Sequence, residues 1–412
     1  MTHLPIPTVR TPEWPTDLLT ADDLGESWKP VPFRNFVVKV HSRCNLACDY
    51  CYLYEMGDES WRTASKAMSG AVVDRTAARI GEHARVHDLD RVQVIVHGGE
   101  PLLAGAALIT RLARAVRRSV PETTRVSLGV QTNGLLLDER MLDTLHELRF
   151  TVGVSVDGGA VANDRHRRFA DGRGSHAAVA RAIERLRNPA RPGLYGGLLC
   201  AIDVVNDPVE VYEALLEFGP PAIDFLLPHG NWTTPPPLRD EGTAATPYGD
   251  WLVAAFDRWY DVPHQETGVR LFEDLLSLVL GGPTRSEQIG LGPATVVVID
   301  TDGAIEQVDT LKSAFDGAAA TGTSVFDDSF DVALRHPAVM ARQLGLDGLS
   351  STCRACRIRD VCGGGYFTHR YREGSGFLHP SVYCPDLTRV IDHVRARVAR
   401  DLGEPAPRVP AH

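Results

Sequence analysis

The 412-residue chain has no surplus of positive charge and no long apolar run. Lys plus Arg number 43 against 53 Asp plus Glu, a formal charge of −10. Nucleic acid and membrane surfaces are anionic, so neither is an expected partner. No stretch approaches the ~18 apolar residues of a membrane span. The opening MTHLPIPTVRTPEWP lacks a cationic start followed by an apolar segment, so a secretory signal is not expected and a cytoplasmic location is. Lysine is scarce: four of the 43 basic residues (Lys29, Lys39, Lys66, Lys312) leave 39 Arg, which carries no functional meaning. The remaining composition, 43% hydrophobic and 23% charged, suits a chain of two or three domains with a sizeable core.

Cysteine is clustered. Cys44, Cys48 and Cys51 lie near the amino end, Cys353, Cys356, Cys362 and Cys384 near the carboxyl end, and Cys200 alone between them. In a reducing compartment such clusters point to metal rather than disulfides. Cys44-x3-Cys48-x2-Cys51 puts three thiolates on one short loop. Structural zinc closes its shell with four ligands, whereas a four-iron cubane on three thiolates leaves one iron open to a ligand. The loop follows Phe36–Val40, a continuously apolar run that reads as a buried parallel strand. Cys200 reads as a small buried hydrophobe.

Strands are expected at 36–40, 91–96, 125–131, 150–155, 196–204 and 222–227. Helices are expected between them at 66–86, 104–118, 138–147, 175–188 and 208–217. This alternation predicts an α/β fold of parallel βαβ units with right-handed crossovers. The cysteine loop, Gly98-Gly99-Glu100, Gln131-Thr132-Asn133-Gly134 and Ser155/Asp157 all fall at expected strand C-terminal ends, where parallel barrels bind ligands. Residues 1–35 are expected as an irregular lead-in and 403–412 as a disordered tail. Helical patterns at 248–260 and 267–281 make 236–290 a helical linker. Short strands at 295–299 and 304–308, around Asp302-Gly303, open a second domain over 291–402.

Four motifs in order give a family resemblance. CxxxCxxC followed by Tyr52, His97-Gly98-Gly99-Glu100-Pro101, Ser155-Val-Asp157-Gly158 and Asn163-Asp164-Arg-His-Arg167 resemble the radical S-adenosylmethionine (SAM) superfamily over roughly 36–235. The resemblance implies a partial (β/α)6 radical SAM barrel, with SAM on a [4Fe–4S] cluster held by Cys44, Cys48 and Cys51. It implies that Gly98, Gly99 and Glu100 meet the SAM amino group, Ser155 the ribose or its neighbourhood, and Arg167 the carboxylate. Tyr52, Gln131, Asn133 and Asp157 are further expected cofactor contacts. Asn163 stands where the family usually has His.

Cys353-x2-Cys356-x5-Cys362 and then Cys384 supply four thiolates, a set that composition alone would give to zinc. The spacing resembles the SPASM domain of radical SAM peptide modifiers, which implies a C-terminal SPASM-like domain with an auxiliary [4Fe–4S] cluster and no open iron. The full SPASM pattern holds a further cluster. This chain has no Cys in 285–300. Val308 stands five residues after Gly303 and Tyr366 four after Cys362, where that cluster needs Cys. Two clusters in total are therefore expected. The segment Asp302-Gly303-Ala-Ile-Glu-Gln-Val308-Asp309 resembles the hairpin of anaerobic sulfatase-maturing enzymes, which implies a catalytic base at Asp309; a capping Asp is the plain alternative.

Cys51-Tyr-Leu-Tyr-Glu-Met-Gly, Val308-Asp-Thr-Leu-Lys312, Cys362-Gly-Gly-Gly-Tyr and Pro380-Ser-Val-Tyr-Cys384 resemble FxsB-type radical SAM/SPASM peptide maturases. That resemblance implies Cβ hydrogen abstraction from a ribosomally made precursor peptide and an aromatic carbon to Cβ crosslink, a three-residue cyclophane. It also implies a reductant such as flavodoxin or ferredoxin. Thioether formation, formylglycine-type oxidation and epimerisation on the same scaffold are the alternatives; a zinc-stabilised peptide-binding module is the non-enzyme one.

Overall fold

A computed structural model describes residues 28–239 and 242–403. Most of the lead-in expected over 1–35 and the tail from 404 onward lie outside the described residues. Strand β1 (Asn35–His41) is followed by α1 (Gly70–Val86), β2 (Arg91–Gly98), α2 (Gly105–Ser119), β3 (Arg125–Thr132), α3 (Glu139–Glu147) and β4 (Phe150–Ser155). Next come α4 (Ala160–His166), α5 (His176–Leu186), β5 (Tyr195–Ala201), α6 (Pro208–Leu216) and β6 (Ala222–Leu226). Helix α7 (Pro247–Tyr260), the two-residue β7 (Gly268–Val269) and α8 (Arg270–Val279) precede β8 (Val296–Ile299), β9 (Ala304–Glu306) and β10 (Ala320–Ser324). Short helices α9 (Phe330–Leu334), α10 (Pro337–Ala341), α11 (Ser351–Ala355) and α12 (Arg359–Cys362) lead to the long α13 (Cys384–Asp401).

One sheet has the order β10-β9-β8-β1-β2-β3-β4-β5-β6-β7, with β1 to β6 pairing in parallel in sequence order. This is the parallel α/β order expected from the alternation of strands and helices. Strand β1 turns Phe36, Val38 and Val40 to one fully buried face, while the other face carries Val37 and the buried charge of Lys39, so the run expected to be apolar throughout is apolar on one face only. Helix α2 turns Ile109, Leu112, Ala113 and Val116 inward, the 3.6-residue spacing of an amphipathic helix. Helix starts are set locally. Asp138 Oδ1 accepts from Met141 N at 2.7 Å, and Asp207 Oδ1 accepts from Val209 N and Glu210 N ahead of α6, whose first residue is Pro208.

The spans expected as linker and second domain pack against the barrel span. Within the span expected as a linker, Tyr248, Trp251, Leu252 and Phe256 of α7 and Leu271, Phe272 and Leu275 of α8 are buried in the main core. Apolar faces on both helices need covering, and β6 and α13 cover them. Strand β8 pairs in parallel with β1 from Asn35↔Val296 to Val38↔Ile299. The hairpin β8–β9 thus continues the barrel sheet. The expected strand 196–204 ends at Ala201, where Asp203 turns the chain by accepting from Val205 N.

Candidate active site

The cysteine loop leaves β1 after His41 and is folded by its own backbone, Cys51 N donating to Cys48 O and Leu46 N to Cys44 Sγ. The end of β2 is laced to it: Gly99 N donates to His41 O and Glu100 N to Arg43 O, each at 2.9 Å. The approach is too close for side chains. A Cβ on Gly98 (φ +146°) would stand 2.2 Å from His41 O, and one on Gly99 1.9 Å from the Tyr54 hydroxyl. Glycine at both positions is a steric requirement of this contact.

Glu100 is fully buried and straps β2 to β3. Its Oε1 accepts from Leu102 N and Thr132 Oγ1, and its Oε2 from Asn133 N. Asn133 Nδ2 in turn donates to Asn45 Oδ1 at 2.7 Å in the cysteine loop. Gln131 Nε2 donates to Ser155 Oγ at 2.9 Å, joining β3 to β4. Asp157 Oδ1 accepts from Ala201 N, and its Oδ2 from the Tyr50 hydroxyl at 2.5 Å. Arg167 donates to the same Tyr50 oxygen at 2.8 Å. Tyr50, which sequence reasoning missed although it lies inside the CxxxCxxC motif, therefore couples Asp157 to Arg167. Asn163 is structural: it is fully buried, its Oδ1 accepts from Asp157 N, and its Nδ2 donates to Ser175 Oγ and Asp164 Oδ1.

These residues surround a cavity of about 1270 Å³. Its wall includes Cys44, Cys48, Cys51, Tyr52, Gly98, Gly99, Glu100, Gln131, Asn133, Ser155, Asp157 and Arg167. Twelve of the residues expected at the first site are thus brought together. The groups fit SAM on a cluster. Arg167 Nε is buried without a partner, as a guanidinium awaiting an anion would be. Burial pushes Cys48 up to about 11 and Cys51 up to about 12, so their thiolate forms need a cation beside them.

Part of the wall is C-terminal. Val308, Thr310, Tyr366 and His369 line the same cavity, together with His97 and His229. Asp309 starts a 3₁₀ turn (Asp309–Ser313) between the lining residues Val308 and Thr310 and is not itself in the wall; among the described residues neither of its buried carboxylate oxygens has a hydrogen-bond partner. His97 and His229 carry imidazoles that burial keeps neutral, each with its Nδ1 unpartnered. The Tyr52 ring meets His229 edge-on at 4.7 Å.

Behind Asp309 is a set of buried charges with no sequence signal. Lys39 Nζ of β1 lies 2.6 Å from Asp300 Oδ2 and 3.9 Å from Glu306 Oε2. Lys312 Nζ lies 3.1 Å from Glu306 and 3.9 Å from Asp58. Burial raises Asp300, but Lys39 and Lys312 outweigh it and hold the carboxyl at about 2. Burial dominates at Glu306 and pushes it to about 7 against the same two lysines.

Cys353, Cys356, Cys362 and Cys384 gather between α11, α12 and the start of α13. They feel one another electrostatically; Cys362 is pushed up to about 12 by burial and then by Cys384. The Arg370 guanidinium clamps the following loop, donating to the carbonyls of Gly363, Gly364 and Gly365 at 2.6, 3.1 and 2.6 Å. All three glycines have positive φ. Among the described residues, no three cysteine sulfurs lie within 4.8 Å of one another. Cys200 is fully buried in β5.

A cysteine triad follows the first parallel strand and is laced to a double-glycine strand end, and the same cavity holds a buried arginine. Residues 38–215 match the family described as the Radical SAM superfamily. The chain is similar to the serine-type anaerobic sulfatase-maturating enzyme of Klebsiella aerogenes, 23% identical over 87% of this chain and 85% of that one. It is also similar to the cysteine-type enzyme of Clostridium perfringens (strain 13 / Type A), 22% identical over 89% and 97%. Among solved structures, anSMEcpe with bound AdoMet and Cp18Cys peptide superposes with a TM-score of 0.73 at 22% identity, covering 89% of this chain and 99% of that one. Streptococcus suis SuiB bound to precursor peptide SuiA gives 0.55 at 12% identity, covering 86% and 76%. These likenesses show the fold. Among the described residues no helix is long and apolar enough to cross a membrane.

Proposed function

We propose that this radical SAM enzyme removes a Cβ hydrogen from a residue of a ribosomally made precursor peptide. The observation that carries the reading is the cavity: at about 1270 Å³ it exceeds the ~300–1,000 Å³ of a small-molecule site. A nucleotide cofactor against the cysteine loop leaves room for a peptide segment against the C-terminal wall. The relatives' names, with sulfatase maturation and bound peptides in them, support the same substrate class.

Cys44, Cys48 and Cys51 would hold the first [4Fe–4S] cluster, and Cys353, Cys356, Cys362 and Cys384 an auxiliary one. When bound, SAM and the clusters supply a 5′-deoxyadenosyl radical at one end of the cavity and an electron acceptor nearby. Arg167 offers its free Nε–H to the SAM carboxylate, with Tyr50 and Asp157 fixing its orientation. Gly98 and Gly99 open the strand end so that backbone can meet the amino group, and Glu100 with Asn133 holds that strand end in place. Gln131 and Ser155, hydrogen-bonded to each other, face the ribose. Tyr52 closes the floor between cofactor and peptide. Asp309, buried and without a hydrogen-bond partner, serves as the base that takes a substrate proton.

The finer reading is a crosslink from an aromatic carbon to Cβ, giving a three-residue cyclophane. One hydrogen atom leaves to the cofactor radical, a ring proton to Asp309 and one electron to the auxiliary site. A second reading, formylglycine-type oxidation, is favoured by the near full-length likeness to sulfatase-maturating enzymes. Both begin at Cβ–H, and both need a reductant such as flavodoxin or ferredoxin. Anaerobic co-expression with the peptide encoded beside the gene, followed by tandem mass spectrometry, tests them. Loss of two hydrogens with fragmentation blocked between two residues supports the crosslink. A hydrazide-reactive aldehyde supports the second reading. A chain loaded with iron and SAM and supplied with a reductant that yields no 5′-deoxyadenosine sinks both.

A further inference from the structure

Away from the cavity, where α1 packs on α9, His83 and His87 stand one helical turn apart on the same face of α1. Asp331 of α9 faces both. Its Oδ1 lies 2.7 Å from His87 Nε2 and 3.1 Å from His83 Nδ1, and the three ligand atoms all fall within 4.8 Å of one another. We propose that His83, His87 and Asp331 form a zinc site that clips the C-terminal segment to the barrel.

Three observations carry this. His83 is only 2% exposed, yet neither ring nitrogen makes a hydrogen bond. Its Nδ1 lies 3.1 Å from Asp331 Oδ1 without hydrogen-bond geometry, whereas His87 Nε2 lies 2.7 Å from the same oxygen with it, so the carboxylate serves His87 better than His83. The second observation is the setting. The His83 ring is wedged among Phe33, Phe36 and Phe330 at centroid distances of 6.0, 6.0 and 5.9 Å, which fixes its orientation as packing around metal ligands does. The third is the donor set. Two neutral imidazoles and one carboxylate suit zinc, with Zn–N and Zn–O bonds of about 2.0–2.2 Å. Ligand atoms 2.7 and 3.1 Å apart need shift only by tenths of an ångström to reach the roughly 3.3 Å spacing of a tetrahedral shell. His87 and Asp331 are partly solvent-accessible, so water can complete the shell.

The site is independent of the peptide reading, and its test needs no substrate. Untagged protein, fully loaded with iron and kept anaerobic, is given excess zinc, passed through gel filtration and analysed for zinc and iron. Wild type is expected to retain about one zinc per chain. His87→Ala and Asp331→Asn, both at partly exposed positions, are expected to retain none while keeping the iron content and visible spectrum of wild type. Zinc is also expected to raise the melting temperature of wild type and leave both variants unmoved. A wild type that carries no zinc through the column overturns the proposal, as do variants that retain as much as wild type. A wild type without zinc overturns the proposal even if one variant folds poorly, and loss of zinc in the other variant locates the ion away from the cysteines.

Discussion

His97 Nδ1 stands 3.8 Å from Asp309 Oδ2, and neither atom has a hydrogen-bond partner. The imidazole comes from the end of β2 and the carboxylate from just beyond β9, so barrel and C-terminal segment each supply half of the pair. A buried carboxylate left unbonded costs stability and is retained where a ligand completes it. Asp309→Asn keeps the shape and removes the base. It is expected to lower product formation by about 10²–10⁴-fold while 5′-deoxyadenosine still accumulates. Equal loss of both products would instead mean that Asp309 supports SAM binding.

Arg167 is expected to govern affinity for SAM. Lysine cannot donate to Tyr50 and to a carboxylate from one planar group, so Arg167→Lys is expected to weaken SAM binding by about tenfold or more with iron content unchanged. Tyr50→Phe removes the hydrogen bonds to Arg167 and Asp157 and is expected to shift the same equilibrium by a smaller factor. Equilibrium dialysis with labelled SAM on anaerobic protein reads both.

The carboxyl-terminal thiolates are expected to hold iron without being needed for SAM cleavage. Replacing Cys353 and Cys356 with Ala should take iron from roughly eight to roughly four per chain. 5′-Deoxyadenosine formation should persist and peptide product should vanish. Unchanged iron accompanied by lost zinc would identify the second site as a zinc site.

Glu306 predicts a pH dependence. Its folded-state pKa, about 7, stands above the ordinary glutamate value of 4.5. Stability from this group is therefore full below about 4.5 and is lost as pH rises through 7. Glu306→Gln removes that loss. Relative to wild type, the variant is expected to gain stability from pH 5 to pH 8, by about 1–3 kcal/mol within this coupled set. Denaturant midpoints across that range check the sign; a difference between the two proteins that does not change with pH refutes it.

The parts of the molecule governed by short-range rules are legible in the sequence. The six strands β1 to β6 follow from apolar runs, and α2 from its spacing. The cysteine groups follow from reactive residues at fixed intervals. The glycines at 98 and 99 are legible as a motif, although only the structure shows that His41 O and the Tyr54 hydroxyl exclude a side chain. The charge set behind Asp309 is not legible. Lys39 and Asp300 are 261 residues apart, and a single lysine inside an apolar strand gives no hint of its partner. Tyr50 could have been found, because a tyrosine between two cysteine ligands has few directions in which to point. The pairing of β8 with β1 has no local signature, since both are short apolar runs that fit any buried strand.

That pairing governs what can be cut away. With β8 removed, the Asn35–His41 strand would show a naked row of amides and carbonyls along its flank. A fragment ending before Val296 would meet its own kind edge to edge and precipitate. Proteolysis or truncation is therefore met by the two halves as one cooperative body, and any graft of this catalytic core into another protein must carry the terminal hairpin with it.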